Sequence, residues 1–250
     1  WLVEGGRWID TANRVLRFHE TDAGAIVVDD VTPTSDEEDS STYAWHSVWG
    51  FGPDDVYVGG RACGASGCNG PDDHSAVAHY DGAAWSIQLL ETPDPVRGLF
   101  GTTAKGQPRQ LWLWLAKTQQ NGWFVNGSLR LVPVSESGSL GAPTFVHELP
   151  VPDYPLRNGT RSCGHSRGVF GSAISPSAAW ISNGCIVYRW NGSQLEIVPT
   201  AIDDVPPGDV TAVWAGSVDD AWIVGTSVPL LNPNLPPAGF AAQRRAGGDQ

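Results

Sequence analysis

One short pattern returns along this 250-residue chain, and it limits the fold more than any other feature. Val48–Gly60 reads VWGFGPDDVYVGG, and Val213–Gly225 reads VWAGSVDDAWIVG. The two align without a gap, matching the leading Val-Trp, the Asp-Asp pair and the closing Gly. A third copy, VFGSAISPSAAWIS, starts at Val169 with a longer turn, and a weaker fourth, LFGTTAKGQPRQLWLWLA, starts at Leu99. The anchor aromatics Trp49, Phe100, Phe170 and Trp214 stand 51, 70 and 44 positions apart. A period of about fifty residues with variable loops is the mark of one supersecondary unit copied and stacked.

Each copy has a second half. His79–Trp85 reads HYDGAAW and Arg189–Leu195 reads RWNGSQL. Asp81-Gly82 and Asn191-Gly192 are the dipeptides of tight primed hairpin turns, whose central residues need positive φ. One unit therefore reads as strand a (SVWG), a turn with Asp-Asp, strand b (VYVGG), a variable loop, strand c (AVAHYDG), a tight turn and strand d (AWSIQLL). Strands this short and turn-punctuated predict an all-β chain with less than about a tenth helix. Strand a is expected to begin near Ser47, Arg97, Gly168 and Thr211.

WLVEGG at the start resembles a strand b, Arg14–Glu20 supplies a strand c, and GFAAQRRAGGDQ reads as another strand c. The organisation is a partial unit at 1–44, units at about 45–95, 96–165 and 166–209, and a partial unit at 210–250. The fold expected is a β-propeller of four-stranded antiparallel blades, part of a larger ring, because a propeller closes its ring to remove sheet edges. Aromatics on strands a and b then pack between blades. The Asp pairs cap the a–b turn through nearby backbone N–H groups.

Composition narrows the partners. The net charge is −12 and no Lys/Arg run occurs, so the basic footprint of a nucleic-acid binder is missing. An anionic membrane surface repels such a chain, and no stretch of about 20 apolar residues is present to span one. Cys63 and Cys68 are close enough for a short-loop disulfide, which leaves Cys163 and Cys185, 22 positions apart, as a second pair. Structural zinc sites use two tight pairs instead. Two disulfides imply an oxidising compartment, so a secreted, periplasmic or cell-surface location is expected; two buried thiol pairs are the alternative. Without a visible signal peptide or an initiator Met, the chain reads as a mature or excised segment.

The repeated VWG, DDVYVGG and HYDGAAW motifs resemble those of tachylectin-like and kelch-like propellers. They also resemble the tandem repeats of large extracellular proteins in myxobacteria and related bacteria. The resemblance covers nearly the whole chain and implies the propeller scaffold and a binding role. In such families function varies while the scaffold persists.

Catalytic motifs are missing: the chain has no P-loop, nucleophile elbow, HExxH or haem CxxCH. SVDDAW at Ser217–Trp222 approaches the sialidase Asp box but lacks its Gly and is one residue short. PDDH at Pro71–His74 and SDEED at Ser35–Asp39 lack calcium-loop spacing and read as solvated loops, so no metal or cofactor is expected. The N-x-[ST] strings at Asn126, Asn158 and Asn191 read as turn chemistry.

Stacking the copies reveals one further regularity. Two residues before the Val or Leu of strand a stand His46, Arg97, Arg167 and Thr211, three of them basic in a chain with only 15 Lys and Arg. Strand a is innermost, so these side chains are expected to form a partial ring at the mouth of the central channel. The same face would carry the Cys63–Cys68 loop with Asp72, Asp73 and His74, the Arg7–Trp8 loop, and the Pro-rich segment after Gly225. The opposite face, made of short a–b and c–d turns, is expected to be flat. Arginine forks hold carboxylate or phosphate, although each Arg pairing with a neighbouring blade's carboxylate is the alternative.

The function expected is an extracellular binding or scaffold propeller that recognises a glycan, a protein or a surface polymer. A propeller-domain glycosidase or lyase is a second reading and would need a carboxylate pair at the mouth. A structural subunit of a larger assembly is the third.

Overall fold

Six antiparallel sheets make up the computed structural model, which describes residues 1–4, 14–34, 42–64, 68, 73–102, 106–118, 124–150, 153–156, 159–162, 169–184, 186–198, 207–227 and 238–245. Blade 1 has β1 (Leu2–Glu4), β2 (Arg14–Glu20) and β3 (Ile26–Asp30). Blade 2 has β4 (Thr42–Gly52), β5 (Asp55–Cys63), β6 (His74–Tyr80) and β7 (Trp85–Leu90). Blade 3 has β8 (Val96–Gly101), β9 (Gln110–Thr118), β10 (Phe124–Pro133) and β11 (Thr144–Pro150). A separate hairpin of β12 (Asp153–Leu156) and β13 (Gly159–Ser162) follows. Blade 4 has β14 (Val169–Ser175), β15 (Ala178–Asn183), β16 (Ile186–Trp190) and β17 (Leu195–Val198); blade 5 has β18 (Pro207–Ser217), β19 (Asp220–Ser227) and β20 (Ala238–Arg245).

This is the all-β propeller expected, with five blades of three or four strands and no helix among the described residues. The strands follow the a-b-c-d order of the repeat: blade 1 shows b-c-d, blades 2 to 4 show all four, and blade 5 shows a-b-c. An isolated parallel bridge joins Thr102, just past the end of β8, to Ala173 within β14. Two inner strands start earlier than expected, β4 at Thr42 and β18 at Pro207. Pairing continues there past a break in the alternation, for a reason that belongs to the site.

The hairpin turns differ from the sequence expectation. The ladders end at Tyr80 with Trp85 and at Trp190 with Leu195, and within each four-residue loop a single backbone bond follows, from the Asp81 N–H to the Ala84 carbonyl at 3.2 Å and from the Asn191 N–H to the Gln194 carbonyl at 3.3 Å. Gly82 and Gly192 do take positive φ, at 95° and 94°. Asp81 Oδ1 accepts the N–H groups of Ala83 and Ala84 at 2.9 Å, and Asn191 Oδ1 accepts those of Ser193 and Gln194 at 3.0 Å. The side-chain cap closes the longer loop.

The Asp pairs also behave differently. They do not cap their own turns but reach to other strands. Asp54 meets Arg17 of blade 1 at 3.4 Å, Asp219 meets Arg189 of blade 4 at 3.9 Å, and Asp220 accepts from Gln243 at 2.8 Å. Short turns leave these carboxylates beside the neighbouring strands, within reach of their cationic and amide side chains.

The core lies between the blades. We call the face a blade turns toward the next one in sequence its forward face, and the other its rear face. Tyr57 and Val77 of blade 2 share a buried cluster with Leu99, Leu111 and Leu113 of blade 3. Trp112, Trp114 and Leu129 of blade 3 do the same with Val169, Ala179 and Ile181 of blade 4. Trp180 and Val187 of blade 4 meet Val213, Ala221 and Ile223 of blade 5, and Val15 of blade 1 joins Trp45 and Val58 of blade 2.

Nearest the axis the blades touch through aromatic rings laid on glycine. A Cβ built at Gly101 would lie 2.5 Å from the Trp49 ring, and one at Gly171 would lie 2.5 Å from the Phe100 ring. Each glycine follows the anchor aromatic of its own blade and seats the aromatic of the blade before it.

Candidate functional site

The equivalent residues His46, Arg97 and Thr211 share one structural property that strand alternation alone does not reveal. Each is the extra residue of a β-bulge. In β4, Trp45 pairs with Gly60 and Ser47 with Gly59, so the register skips His46. In β8, Val96 pairs with Leu115 and Gly98 with Trp114, skipping Arg97. In β18, Val210 pairs with Gly225 and Ala212 with Val224, skipping Thr211. A bulge bends its strand and re-aims the extra side chain, and such features gather beside functional sites.

A signal for the bulges was present in the sequence. Strict alternation puts residues two apart on one face, yet Trp45 and Val48, Val96 and Leu99, and Val210 and Val213 are apolar pairs three apart. Each pair packs into a single cluster. Only a residue inserted between them lets both face the same side.

The bulges bring two blades' side chains together. Arg97 Nη1 lies 3.1 Å from His46 Nδ1. Burial, together with the positive charges of Arg97 and Arg61, holds His46 well below its ordinary pKa. The imidazole is therefore neutral at physiological pH and accepts the guanidinium N–H, which leaves its own proton on Nε2. Burial and the charge of Arg61 likewise lower Arg97, to about 10.

Arg61 is the member of this group that the repeat register did not single out. It lies near the end of β5, two residues before Cys63, and its side chain is only 4% exposed. Its Nη1 donates to Asp73 Oδ2 at 3.0 Å, while Asp73 Oδ1 accepts the Gly64 N–H at 3.3 Å. Asp73 is thus turned inward, fastening the b–c loop to its blade. The Cys63–Cys68 disulfide closes the same loop, as expected. His74 is exposed at the start of β6, opposite Ala62. Arg7, Trp8, Asp72, Arg167, Cys163 and Cys185 lie outside the described residues.

The arrangement gathers two guanidinium groups and a neutral imidazole, with Asp73 already held by Arg61. Guanidinium forks match carboxylate, sulfate and phosphate oxygens. Glycoside hydrolysis takes two carboxyl groups flanking the scissile bond. Among the described residues, the carboxylate hydrogen-bonded within this cluster is Asp73, and it is engaged.

The opposite face is not plain. Asp55 bonds His79 Nε2 at 2.9 Å and also pairs with Arg109 of blade 3. Tyr57 stacks on His79 with centroids 4.4 Å apart and donates to the Gly138 carbonyl at 3.1 Å. Burial first, then the Asp55 charge, raises the Tyr57 phenol far above its usual pKa, so it stays protonated as a donor. His79, Arg189 and Gln243 each stand directly across from a strand-b aromatic, namely Tyr57, Trp180 and Trp222. That shared polar position is the sequence signal for this network. Its groups are committed to one another, and it joins blades 2 and 3.

A cavity of about 560 Å³ lies elsewhere, between the outer strand of blade 2 and blade 3, with Leu89, Leu113, Leu115, Arg130 and Leu140 among its walls. It contains none of the residues that the repeat register points to. Among the described residues, no helix is long and apolar enough to cross a membrane.

In structure the chain is similar to Sqt1 from Chaetomium thermophilum, with a TM-score of 0.33 and 11% sequence identity. That match covers 83% of this chain and 64% of the other, so it spans less than two thirds of that protein. No protein-family model matches the sequence, and no curated protein matches it.

Proposed function

We propose that this chain is a non-catalytic binding propeller, of the tachylectin-like or kelch-like kind, that works outside the cytoplasm. It holds an anionic group of a glycan, a protein or a surface polymer at the bulge-bearing face. The observation that carries this reading is the pair of bulges that sets Arg97 against His46 across two blades, beside Arg61. Asp73 balances the charge of Arg61, and guanidinium forks such as that of Arg97 match the oxygens of an anion. The disulfide of the adjoining loop supports an oxidising compartment. By the repeat register Arg167 joins the same ring, while His74 and the Arg7–Trp8 loop contribute from the rim.

The test compares an acidic polysaccharide, polygalacturonate, with neutral dextran by surface plasmon resonance. Polygalacturonate binds, dextran does not, and the double substitution Arg97→Ala with Arg167→Ala weakens binding by about tenfold or more, the worth of one or two charge-assisted hydrogen bonds. Circular dichroism checks that the variant keeps its sheet content. Equal binding of both polymers, or an unchanged affinity in the double variant, would sink the proposal.

A further inference from the structure

One arginine stands where the repeat otherwise places uncharged residues. The fourth residue of strand b is Val58, Leu113, Ile181 or Ile223 in blades 2 to 5. Directly across from these on strand c are Ala78, Arg130, Tyr188 and Ala242. Leu113 is buried against blade 2, so its row lies on the rear face of blade 3. Ala78 and Tyr188 are likewise buried in the clusters at their own junctions. Only blade 3 sets a charge in this row, between Leu113 and Phe145.

Placing a guanidinium along an apolar face costs free energy unless an anion meets it. Arg130 Nε donates to Ser128 Oγ at 3.2 Å, and its guanidinium carbon lies 5.1 Å from the Phe145 ring centre. Among the described residues it makes no ion pair. The Ser128 bond and the ring fix the plane of the group and leave its two Nη ends for a ligand. At this place the junction of blades 2 and 3 opens into the cavity of about 560 Å³, a size usual for small-molecule sites. Leu90, Leu113, Leu115 and Pro143 supply apolar wall, and Arg130 and Glu91 supply the charges. Gln88 and Leu140, also on the wall, are joined by two hydrogen bonds of 3.3 Å, which brace the cavity across the two blades.

We propose that this cavity is a second ligand site, taking a monocarboxylate with an apolar body. The carboxylate meets the Arg130 fork, whose geometry matches its two oxygens, and the hydrocarbon lies along the leucine wall. Glu91 on the same wall repels a second negative charge, so the site favours a monoanion over a dicarboxylate or a phosphate monoester. The inference does not rest on the anion site at His46 and Arg97, whose residues are not among the cavity walls.

Isothermal titration calorimetry with octanoate, octan-1-ol and acetate tests it. Octanoate binds, and octan-1-ol, which lacks the charge, binds about tenfold weaker or less, the scale of a charge-assisted hydrogen bond. Acetate, which lacks the apolar body, is also weaker by about tenfold or more. Arg130→Met keeps an apolar stem and brings octanoate down to the level of the alcohol. Ala142→Trp fills the cavity from an exposed wall position, leaves Arg130 in place and abolishes binding of both. Circular dichroism checks that each variant keeps its sheet content. Equal binding of octanoate and the alcohol, or of octanoate and acetate, overturns the proposal. So does unchanged octanoate binding in either variant. Arg97→Ala with Arg167→Ala leaves octanoate binding unaltered; a loss there also overturns the proposal, by assigning the carboxylate to the other face.

Discussion

Tyr57, Trp112, Trp180 and Trp222 occupy the same place on strand b of four successive blades, yet the first three are 0%, 0% and 1% exposed and the last 41%. All four are large aromatics, three of them Trp, and all stand third in their strand b. What differs is the rear face of a following blade, which among the described residues packs on the first three and not on the fourth. The repeat therefore specifies an aromatic at this place in every blade, independent of how far it is covered among the described residues. Its burial comes from the junction, not from the blade. In such a quasi-linear array, stability is a sum of blade terms and nearest-neighbour interface terms.

Equivalent substitutions on either side of this divide give the largest expected contrast. Trp112→Ala empties a fully packed junction between blades 3 and 4 and is expected to cost about 3–5 kcal/mol. Trp222→Ala removes a half-exposed ring and is expected to cost less than about 1 kcal/mol. Urea unfolding of both variants, followed by circular dichroism, measures the difference. Equal losses would mean that the two rings are buried alike in solution and that the comparison is wrong.

A smaller effect probes the contact near the axis. Trp49 and Phe100 lie on Gly101 and Gly171, but at the next junction the equivalent glycine is replaced by Ala215, and Phe170 is left 38% exposed. Gly171→Ala forces a methyl group against the Phe100 ring and is expected to cost about 1–3 kcal/mol, the range for overpacking. Ala215→Gly disturbs no such seat, and its expected cost is the backbone entropy of about 0.5–1 kcal/mol together with about 0.8 kcal/mol for the buried methyl group. Thermal unfolding midpoints rank the two. If Gly171→Ala proves the milder change, the ring is not held by the glycine.

The same divide separates what could be read from the sequence from what could not. The gapless match of VWGFGPDDVYVGG with VWAGSVDDAWIVG was enough for the strand order, because turn chemistry and alternation act within one unit. The Cys63–Cys68 bridge was legible for a similar reason, its partners being five positions apart. Exposure of Trp214 was not legible, since the string around it is nearly that around Trp49. The partners of the Asp pairs were also hidden. Arg17 and Arg189 sit on strand c of the preceding blade, and nothing in the turn itself points there. At the bulges the sequence placed His46 and Arg97 correctly in register with each other. The companion Arg61 escaped notice because it belongs to strand b and meets them only through the folded blade.

The smallest expected effect concerns how blade 1 is joined to blade 2. Arg17 sits where two explanations overlap. Its Nη2 is 3.4 Å from Asp54 Oδ1, and its guanidinium carbon lies 5.7 Å from the Trp1 ring centre and 5.9 Å from that of Tyr80. Asp54 is mostly exposed, so the ion pair is screened by salt, and Asp54→Asn is expected to cost no more than about 0.5 kcal/mol at low ionic strength. Arg17→Ala also removes the stacking on two rings and the hydrogen bond to the Tyr80 hydroxyl at 3.4 Å. Stacking of this sort contributes about 0.5–1 kcal/mol at exposed sites and depends little on distant charges. Thermal unfolding at low and high salt separates the two accounts. The loss in Asp54→Asn should fade as salt is added, while the larger loss in Arg17→Ala should persist. If both losses vanish together at high salt, the joint is held by charge alone, and the rings of Trp1 and Tyr80 only stand nearby.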